Sequence, residues 1–481
     1  MQYKVRLVVI TNTGNEQEHS VLQSLQRFDK KMPVRKHILA VAFPAFGHYI
    51  PLLELAKRII PHHDVTMVIS ATRDKVIRER HLLPPASIGF HTVDDGVSER
   101  IDENFTDLGM LVRIVERSKP HYEKFIESLN TDNSPLPHVD AVFCDITLSQ
   151  ACEPCATKGI PLYVVNPLPT MLMAKSFTIQ EDTPTVPDDT FFKEHAPGTN
   201  LANLPVQNSI KVLALGNIRA CKKAHAILFN SFDELEPGGL ESFQQNPHTK
   251  DKMVKFIGPL ATTNDQESNS DGLADKVMQW MDTQKERNVV YFSLGSIATL
   301  SKEQIVEIAN ALVSLNRPFI WSLRPFQQVH LPEVMKGQTA DSFDSDSKYL
   351  IIPWAPQKRI LAHKATVLFV SHCGWNSTLE SVSFGVPIVA WPMFGDQHVN
   401  AALVEQRQIG IKVKGTGTKN PTAVPAEEIA RAIATVAGWD AGQEKRTLYA
   451  EKMEFMGQKA REAVAEKGPS TNSLMEILQG I

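Results

Sequence analysis

The sequence predicts an α/β protein with two doubly wound domains that face a central cleft. From His37 onward, short apolar runs alternate with segments of helical periodicity, an order typical of βαβ units and a parallel sheet. A polar stretch at residues 262–272, which holds no large apolar side chain, interrupts this alternation, and the alternation begins again beyond it. Ligands of such folds bind off the carboxyl ends of the strands, so we expect the functional site in the cleft between the two sheets.

The first domain is predicted over residues 37–258. Its strands are predicted from continuous apolar runs, which are typical of buried strands, at residues 38–43, 65–69, 139–144 and 162–165. Residues 50–60 follow a Pro/Gly turn and have helical spacing. Residues 1–36 precede this pattern and are predicted as an N-terminal extension of unknown role.

The second domain is predicted over residues 274–455, after a linker at residues 259–273. Its strands are predicted at residues 288–294, 319–323, 350–352, 367–371 and 388–390, with a helix at residues 302–315. Residues 456–481 are predicted as a C-terminal helical segment that packs back on the first domain.

The composition excludes several classes of function. The 481 residues carry 50 Lys and Arg against 54 Asp and Glu, a net charge of −4, which offers no basic footprint for nucleic acid or an anionic membrane. No apolar run reaches about 18 residues, so we expect no integral membrane segment. Five cysteines are typical of a reducing compartment, and Cys152 and Cys155 lack a second pair at zinc-finger spacing. We therefore expect a cytoplasmic protein whose cysteine pair packs in the core. We also expect a monomer, although the composition does not show the oligomeric state.

A tight turn joins the predicted strand at residues 367–371 to the helix that follows. Ser377 and Glu380 have the spacing of a capping box, which marks a helix start. The free backbone N–H groups of such a start form an anion site, and His372, Asn376 and Ser377 can add hydrogen bonds to a diphosphate. The same spacing fits a helix capped by its own residues, so both interpretations stay open on this turn alone.

Residues 354–397 surround this turn with further motifs. The segment begins Trp-Ala-Pro-Gln, contains His-Cys-Gly-Trp-Asn-Ser and ends Pro-Met-Phe-Gly-Asp-Gln. It resembles the signature box of plant secondary-product UDP-glycosyltransferases, as do the blocks at residues 43–48, 229–237 and 291–296. The resemblance implies the GT-B fold of two Rossmann-like domains, with the acceptor bound by residues 37–258 and the UDP-sugar by residues 274–455.

The resemblance also implies roles for individual residues in binding the donor. Trp354 would stack on uracil while the backbone of Ala355 pairs with its edge, and Gln357 and Glu380 would bind the ribose hydroxyls. The diphosphate would be held by His372, Asn376, Ser377 and Ser296. The sugar would be contacted by Trp375, Asp396 and Gln397. Gln at the last of these positions resembles users of UDP-glucose, whereas His there resembles users of UDP-galactose.

Two residues of the first domain resemble the catalytic pair of the family. His48 lies near a predicted helix N-terminus, where the dipole disfavours imidazolium, and a general base must be neutral. It resembles the base that takes the proton of the acceptor hydroxyl. Asp145 follows the predicted strand at residues 139–144 and resembles the aspartate that orients this histidine, although an aspartate after a strand is also a common helix cap.

The implied reaction is an inverting transfer of glucose from UDP-glucose to a hydroxyl of a small lipophilic acceptor, phenolic, flavonoid or terpenoid-like. It needs no metal and no cofactor. The alternatives are another UDP-sugar (rhamnose, xylose or galactose) or a sugar-nucleotide binder without catalysis, and the presence of both His48 and Asp145 counts against the binder. Two departures from the family concern ligand contacts. Phe46 stands where Gln is usual. Pro167 lies near the position where many members place a hydroxyl on the sugar 6-OH, so that contact is either missing or comes from Thr170.

Overall fold

The computed structural model describes residues 34–79, 82–96, 108–177, 207–261, 272–295, 299–335, 347–393, 395–417, 423–439 and 446–481. Most of the predicted N-terminal extension and residues 262–271 of the predicted linker lie outside the described residues. Within the described part of the chain, no helix is long and apolar enough to cross a membrane.

The first domain is built on a parallel sheet with seven strands among the described residues, in the order β3-β2-β1-β4-β5-β6-β7. These strands are β1 (His37–Val41), β2 (Asp64–Ser70), β3 (Gly89–Val93), β4 (Ala141–Asp145), β5 (Leu162–Asn166), β6 (Ala226–Phe229) and β7 (Met253–Phe256). The helices are α1 (Phe46–Ile59), α2 (Ala71–Glu79), α3 (Leu108–Ser128), α4 (Pro154–Thr157), α5 (Thr170–Ser176), α6 (Gln207–Lys223) and α7 (Gly239–Gln244), with a 3-10 helix at Ile146–Cys152.

Burial on both faces explains the continuous apolar run of β1. Leu39 and Val41 belong to the core on one face of the sheet, whereas Ile38 and Ala40 belong to the core on the other face. A parallel strand covered by helices on both sides has no solvent-facing positions, so its sequence does not alternate. The four strands predicted in this domain are confirmed at β1, β2, β4 and β5.

The second domain is built on a parallel sheet with six strands among the described residues, in the order β10-β9-β8-β11-β12-β13. These strands are β8 (Val289–Ser293), β9 (Phe319–Ser322), β10 (Tyr349–Ile352), β11 (Thr366–Ser371), β12 (Ile388–Ala390) and β13 (Gly410–Lys412). The helices are α8 (Gly272–Asp282), α9 (Lys302–Ser314), α10 (Pro325–Gln328), α11 (Gln357–Ala362), α12 (Trp375–Phe384), α13 (Gln397–Gln406) and α14 (Ala426–Ala437), with a 3-10 helix at Glu333–Met335.

The helix predicted at residues 50–60 begins earlier, at Phe46. The amides of His48 and Tyr49 already donate to Ala45 O, at 2.9 and 2.8 Å, so His48 lies inside the first turn of α1. Pro51 lies inside this helix and has no amide to donate to Gly47 O. That oxygen instead accepts Asn376 Nδ2 of the second domain at 2.9 Å, which satisfies it.

The C-terminal helices connect the two domains. Helix α15 (Leu448–Val464) packs against α12 of the second domain, and α16 (Pro469–Gln479) returns to the first domain. Leu474, Ile477 and Leu478 of α16 are buried in the core beside β1 and α1. The predicted domain boundary at residue 456 is therefore wrong, because it falls within α15. The chain crosses between the domains in the tight turn after Val464, where a Cβ on Gly468 would lie 2.1 Å from Glu462 O.

Residues beyond β6 complete the interface between the domains. Phe232, Leu235 and Ala261 share one hydrophobic cluster with side chains of α12, α13 and α15. Arg58 of α1 donates to Ile257 O at 3.2 Å and to Pro259 O at 2.7 Å, on the segment that leads towards the second domain. The two domains are thus held together by apolar packing, and Arg58 fixes the segment that leads from one domain to the other.

Candidate active site

The carboxyl ends of β1 and β4 bring His48 and Asp145 together, because Asp145 is the last residue of β4 and His48 lies in the first turn of α1, which follows β1. These strands are neighbours in register, with Ile38 opposite Ala141, so their carboxyl ends meet at one edge of the sheet. His48 Nδ1 lies 2.9 Å from Asp145 Oδ2, and the Asp145 side chain is only 2% exposed. A proton on Nδ1 that is donated to this carboxylate leaves Nε2 as the acceptor of the ring.

Asp145 caps a helix and also contacts the histidine, so the two interpretations of this residue are compatible. Its Oδ1 accepts the amide of Thr147 at 2.8 Å and starts the 3-10 helix, while Oδ2 contacts His48. Thr147 Oγ1 lies 3.4 Å from the same histidine nitrogen. Because both carboxylate oxygens have fixed partners, the orientation of the imidazole is fixed as well.

The expectation that the helix dipole keeps the pKa of His48 low is wrong. Burial lowers the pKa of this imidazole, but the charge of Asp145 and its hydrogen bond outweigh burial, and Asp396 adds to them, so the pKa is raised. A carboxylate in direct contact exceeds the partial charge of a helix end. The raised pKa makes His48 a stronger base than a free histidine.

Asp396 brings a carboxylate of the second domain into the electrostatic field of His48. Burial raises the pKa of Asp396, against hydrogen bonds from Asn400 and the backbone of Trp375 and the charge of His48. Asn400 Nδ2 donates to Asp396 Oδ2 at 2.7 Å and also to Cys373 O at 2.8 Å, which fixes the carboxylate beside the turn before α12. The cleft therefore carries an acidic group from each domain next to one imidazole.

Gln357, Ser377 and Glu380 form one hydrogen-bond network between α11 and α12. Gln357 Nε2 donates to Glu380 Oε2 at 2.6 Å and to Ser377 Oγ at 3.2 Å. Its Oε1 accepts the hydroxyl of Tyr291 at 3.0 Å. The predicted capping box is wrong, because α12 begins at Trp375 and Gly374 provides its N-cap without a side-chain bond. Both supposed capping side chains bind Gln357 instead.

Trp354 and Ala355 follow β10 at the carboxyl edge of the second sheet. The indole of Trp354 is 54% exposed, an unusual state for a tryptophan, whereas Ala355 is buried. An exposed aromatic face at a strand end can stack on a planar ring. The predicted uracil site therefore has an exposed aromatic side chain close in sequence to Gln357.

His372 lies between two glycines that leave room for its ring. A Cβ on Gly295 would lie 2.8 Å from His372 Cε1, and one on Gly374 would lie 2.6 Å from Nε2. Burial lowers the pKa of His372 to about 4, so the ring is neutral at pH 7. The backbone turns sharply at Cys373, with φ of 62°, and this brings the ring close to the start of α12. A neutral imidazole there can donate a hydrogen bond to an anion.

In two of the residues predicted to contact the sugar, Trp375 and Gln397, side-chain atoms already bind other parts of the chain. The Trp375 indole is buried and its Nε1 donates to Asn230 O at 2.8 Å, so only the backbone of Trp375 remains for a sugar. Gln397 is buried, and its Oε1 accepts the amide of Met393 at 2.9 Å. Ser296, which was predicted to hold the diphosphate, lies outside the described residues.

Thr170 does not offer its hydroxyl to the cleft. Both its amide and its Oγ1 donate to Glu236 Oε1 at 2.7 Å, and the residue is buried. The expectation that Thr170 replaces the missing contact to a sugar 6-OH is therefore wrong. The cause is the carboxylate of Glu236, whose charge is better satisfied by two short donors than by one.

Sequence reasoning missed three supporting residues. They are Tyr291, which fixes Gln357, Asn230, which accepts the Trp375 indole, and Asn400, which fixes Asp396. Tyr291 and Asn230 stand inside blocks of the recognised motifs, so the motifs contained a signal for them. Asn400 follows the signature box by one turn of α13, and its contact to Asp396 depends on that helix.

Comparison with known proteins decides the family. The family model described as "UDP-glucoronosyl and UDP-glucosyl transferase" matches residues 242–436. UDP-glycosyltransferase 74C1 of Arabidopsis thaliana is 31% identical over 476 residues, covering 92% of this chain and 98% of its own. This chain belongs to the plant UDP-glycosyltransferases. Its two parallel sheets are accordingly the two Rossmann-like domains of the GT-B fold.

Two further relatives of this UDP-glycosyltransferase extend the match over nearly the whole chain. UDP-glucosyltransferase 102 of Panax ginseng is 29% identical over 490 residues, covering 93% of this chain and all of its own. A UDP-glucosyltransferase of Polygonum tinctorium, described as capable of glucosylating indoxyl and solved with 3,4-dichloroaniline, is 26% identical. Its TM-score is 0.73, and the match covers 94% of this chain and 99% of that one.

The cysteines and acidic residues of this glycosyltransferase show no metal centre among the described residues. No group of three or more His, Cys, Asp or Glu side chains there is arranged to hold a metal ion. Cys152 and Cys155 are buried free thiols, and Cys152 Sγ lies 3.3 Å from Cys144 Sγ. The prediction that the pair packs in the core is confirmed.

Proposed function

We propose that this enzyme transfers glucose from UDP-glucose to a hydroxyl of a small lipophilic acceptor and forms a β-glucoside with inversion. The observation that carries the proposal is the 2.9 Å contact of His48 with Asp145, at a cleft where Asp396 of the donor domain also acts on His48. Family membership supports sugar transfer in general. The donor sugar and the acceptor class are the specific content of the proposal.

His48 acts as the general base and Asp145 orients it. As the acceptor oxygen bonds to the anomeric carbon, its proton passes to Nε2 of His48, and the bond from that carbon to the diphosphate oxygen breaks. The imidazolium that forms is stabilised by its contact with Asp145. Attack opposite the leaving UDP inverts the configuration at the anomeric carbon, and no covalent sugar–enzyme intermediate is needed.

The signature box holds the donor. Trp354 stacks on uracil and the backbone of Ala355 pairs with it, while Gln357 and Glu380 bind the ribose hydroxyls. The diphosphate is bound at the start of α12 by His372, Asn376 and Ser377, together with Ser296. Neutral His372 donates to the phosphate oxygens, and the helix N-terminus adds its dipole. The sugar meets Asp396, Gln397 and the backbone of Trp375.

Two observations support glucose and a small lipophilic acceptor. The signature box ends in Gln397, which resembles users of UDP-glucose. The Polygonum enzyme is described as glucosylating indoxyl and was solved with dichloroaniline, both small aromatic molecules. By analogy, we propose a phenolic, flavonoid or terpenoid-like acceptor for this chain.

One observation favours a second candidate donor. The hydroxyl of Thr170 is bound to Glu236 and Pro167 has no hydroxyl, so this loop offers no side-chain hydroxyl to a sugar 6-OH. Rhamnose lacks this hydroxyl and xylose lacks the carbon that bears it. UDP-rhamnose and UDP-xylose are therefore the alternative donors to be compared with UDP-glucose.

Mass spectrometry of the purified protein with a panel of phenols, flavonoids and terpenoid alcohols tests the proposal. We expect a hexose-sized mass gain on at least one acceptor in the presence of UDP-glucose, with release of UDP. The same panel with UDP-rhamnose, UDP-xylose and UDP-galactose tests the donor. A faster reaction with one of these would overturn glucose, and UDP-sugar binding without transfer to any acceptor would favour the non-catalytic binder.

A further inference from the structure

Helix α1 carries His48 and contacts the donor domain at two points. At its N-terminal end, Asn376 Nδ2 donates to Gly47 O at 2.9 Å. At the middle of the helix, Lys358 Nζ lies 3.3 Å from Glu54 Oε1. The catalytic helix of one domain is thus attached directly to two helices of the other.

Glu54 is a carboxylate in an unusually buried position. Its side chain is only 4% exposed, and its Oε1 also accepts Lys57 Nζ of the same helix at 3.2 Å. Its charge also acts on Arg58, whose pKa is lowered to about 10 mainly by burial. Burying a carboxylate costs free energy unless nearby cations compensate its charge. The cations here are Lys57, Lys358 and Arg58. Of these cations, Lys358 belongs to the donor domain.

Lys358 stands directly after Gln357, at the start of α11. Gln357 donates to Glu380, so α11 and α12 are joined where the ribose and diphosphate are proposed to bind. The Lys358 side chain is 20% exposed and its ammonium is directed at Glu54. The ion pair therefore joins α1, which carries the proposed base, to α11, which belongs to the proposed donor site.

We propose that Lys358 is a positioning residue, whose ion pair with Glu54 sets the distance between His48 and the bound UDP-sugar. The inference rests on the proposed role of His48 as the base. Transfer requires the acceptor oxygen, the anomeric carbon and the base in one alignment, and misplacement by about 1 Å can cost on the order of 100-fold in rate. The ion pair between α1 and α11 controls this alignment, although neither Lys358 nor Glu54 contacts the substrates.

The neighbours of Glu54 provide a matched control. Lys358→Met leaves Glu54 with Lys57 and Arg58, and Lys57→Met leaves it with Lys358 and Arg58. Each variant removes one cation from the same carboxylate, and in each case two cations remain, so neither leaves a lone buried charge. Of the two variants, only Lys358→Met removes the contact of Glu54 with the donor domain.

Steady-state kinetics and calorimetry of the full-length chain test the proposal. For Lys358→Met we expect kcat to fall by about tenfold, while UDP binds within about twofold of wild type. Lys57→Met should keep the wild-type kcat, and Lys358→Arg should restore most of it because the guanidinium also reaches the carboxylate. Thermal unfolding of both methionine variants should occur near the wild-type temperature.

Three results would overturn the positioning role. The first is an unchanged kcat in Lys358→Met. The second is an equal loss of kcat in both methionine variants, which would point to the net charge around Glu54. The third is weaker UDP binding in Lys358→Met with unchanged kcat, which would make Lys358 part of the nucleotide site.

A failure of the proposed function is recognised separately. If the wild-type chain transfers no sugar, amide hydrogen exchange of the free protein tests the ion pair alone. We expect Lys358→Met to increase exchange in α11 and in the second half of α1, and Lys57→Met to leave α11 unchanged. Equal exchange in α11 for wild type and Lys358→Met would show that the pair does not hold the domains.

Discussion

His48 is influenced by two carboxylates, one from each domain. Asp145 contacts its Nδ1 directly and Asp396 acts on it across the cleft, so the charged form of the ring is favoured and its pKa is raised. A base must first be neutral, which places the acidic limit of activity at the pKa of this histidine. Transfer should therefore decline as the pH falls through that raised pKa.

Replacing Asp145 by Asn tests this electrostatic role. We expect kcat/KM at its plateau to fall by about 10²- to 10⁴-fold, because an amide does not stabilise the imidazolium. The acidic limit should move to lower pH, because the pKa of His48 drops when the carboxylate is lost. A pH profile of kcat/KM measures both. An acidic limit that stays in place or moves upward would contradict the assignment.

Replacing His48 by Ala tests the base itself. Transfer should fall by at least about 100-fold, because no other group takes the proton of the acceptor. UDP binding measured by calorimetry should persist, since this side chain is not proposed to bind the nucleotide. His62→Ala, at an exposed position of the first domain, is the control that should keep full activity. An active His48→Ala variant would refute the role.

At the scale of elements, α11 and α12 act as one unit because Gln357, Ser377 and Glu380 share a network. Glu380→Gln keeps the shape of the side chain but removes its charge. We expect UDP to bind about tenfold more weakly, since hydrogen bonds to a charged group contribute about 1.5–3 kcal/mol. Calorimetry measures this, with Glu451→Gln on the exposed side of α15 as the control. Unchanged affinity would remove Glu380 from the ribose site.

The start of α12 is proposed to bind the leaving diphosphate without a metal. Its free amides, the neutral ring of His372 and the side chains of Asn376 and Ser377 supply the donors. We therefore expect the rate of transfer to be the same with and without a chelator such as EDTA. Loss of activity in EDTA that added Mg²⁺ restores would show that the diphosphate needs a cation.

Strands β1, β2, β4, β5 and β8 to β12 were predictable from the sequence, whereas β3, β6, β7 and β13, the start of α1 and the cap of α12 were not. The apolar run at residues 38–43 predicted β1 because central parallel strands are buried on both faces. The prediction of a capping box at Ser377 and Glu380 was wrong because both side chains bind Gln357 instead. The helix predicted from residue 50 begins at Phe46, because the amides of His48 and Tyr49 already donate to Ala45 O. Local spacing carries no information about partners from distant segments.

At the scale of the whole molecule, the two domains form one site because several contacts hold them face to face. Trp375 binds Asn230 O, Asn376 binds Gly47 O, and α16 returns to the core of the first domain. Each of these contacts joins residues of the second domain or the C-terminal segment to the domain that carries His48. The cytoplasmic location and the monomeric state stay predictions, and light scattering of the purified protein would test the second.

The sequence by itself determined the alternation of strands and helices in both domains and the motifs that identify a plant UDP-glycosyltransferase. Both depend on short-range information, namely apolar periodicity and residues at fixed spacing. Only the tertiary structure decided which groups meet across the cleft: His48 with Asp145, Gln357 with Glu380, and Glu54 with Lys358. The charge state of His48 and the burial of the Trp375 indole were decided there too. They depend on packing and on electrostatic contact between distant segments, and spacing along the chain does not encode these.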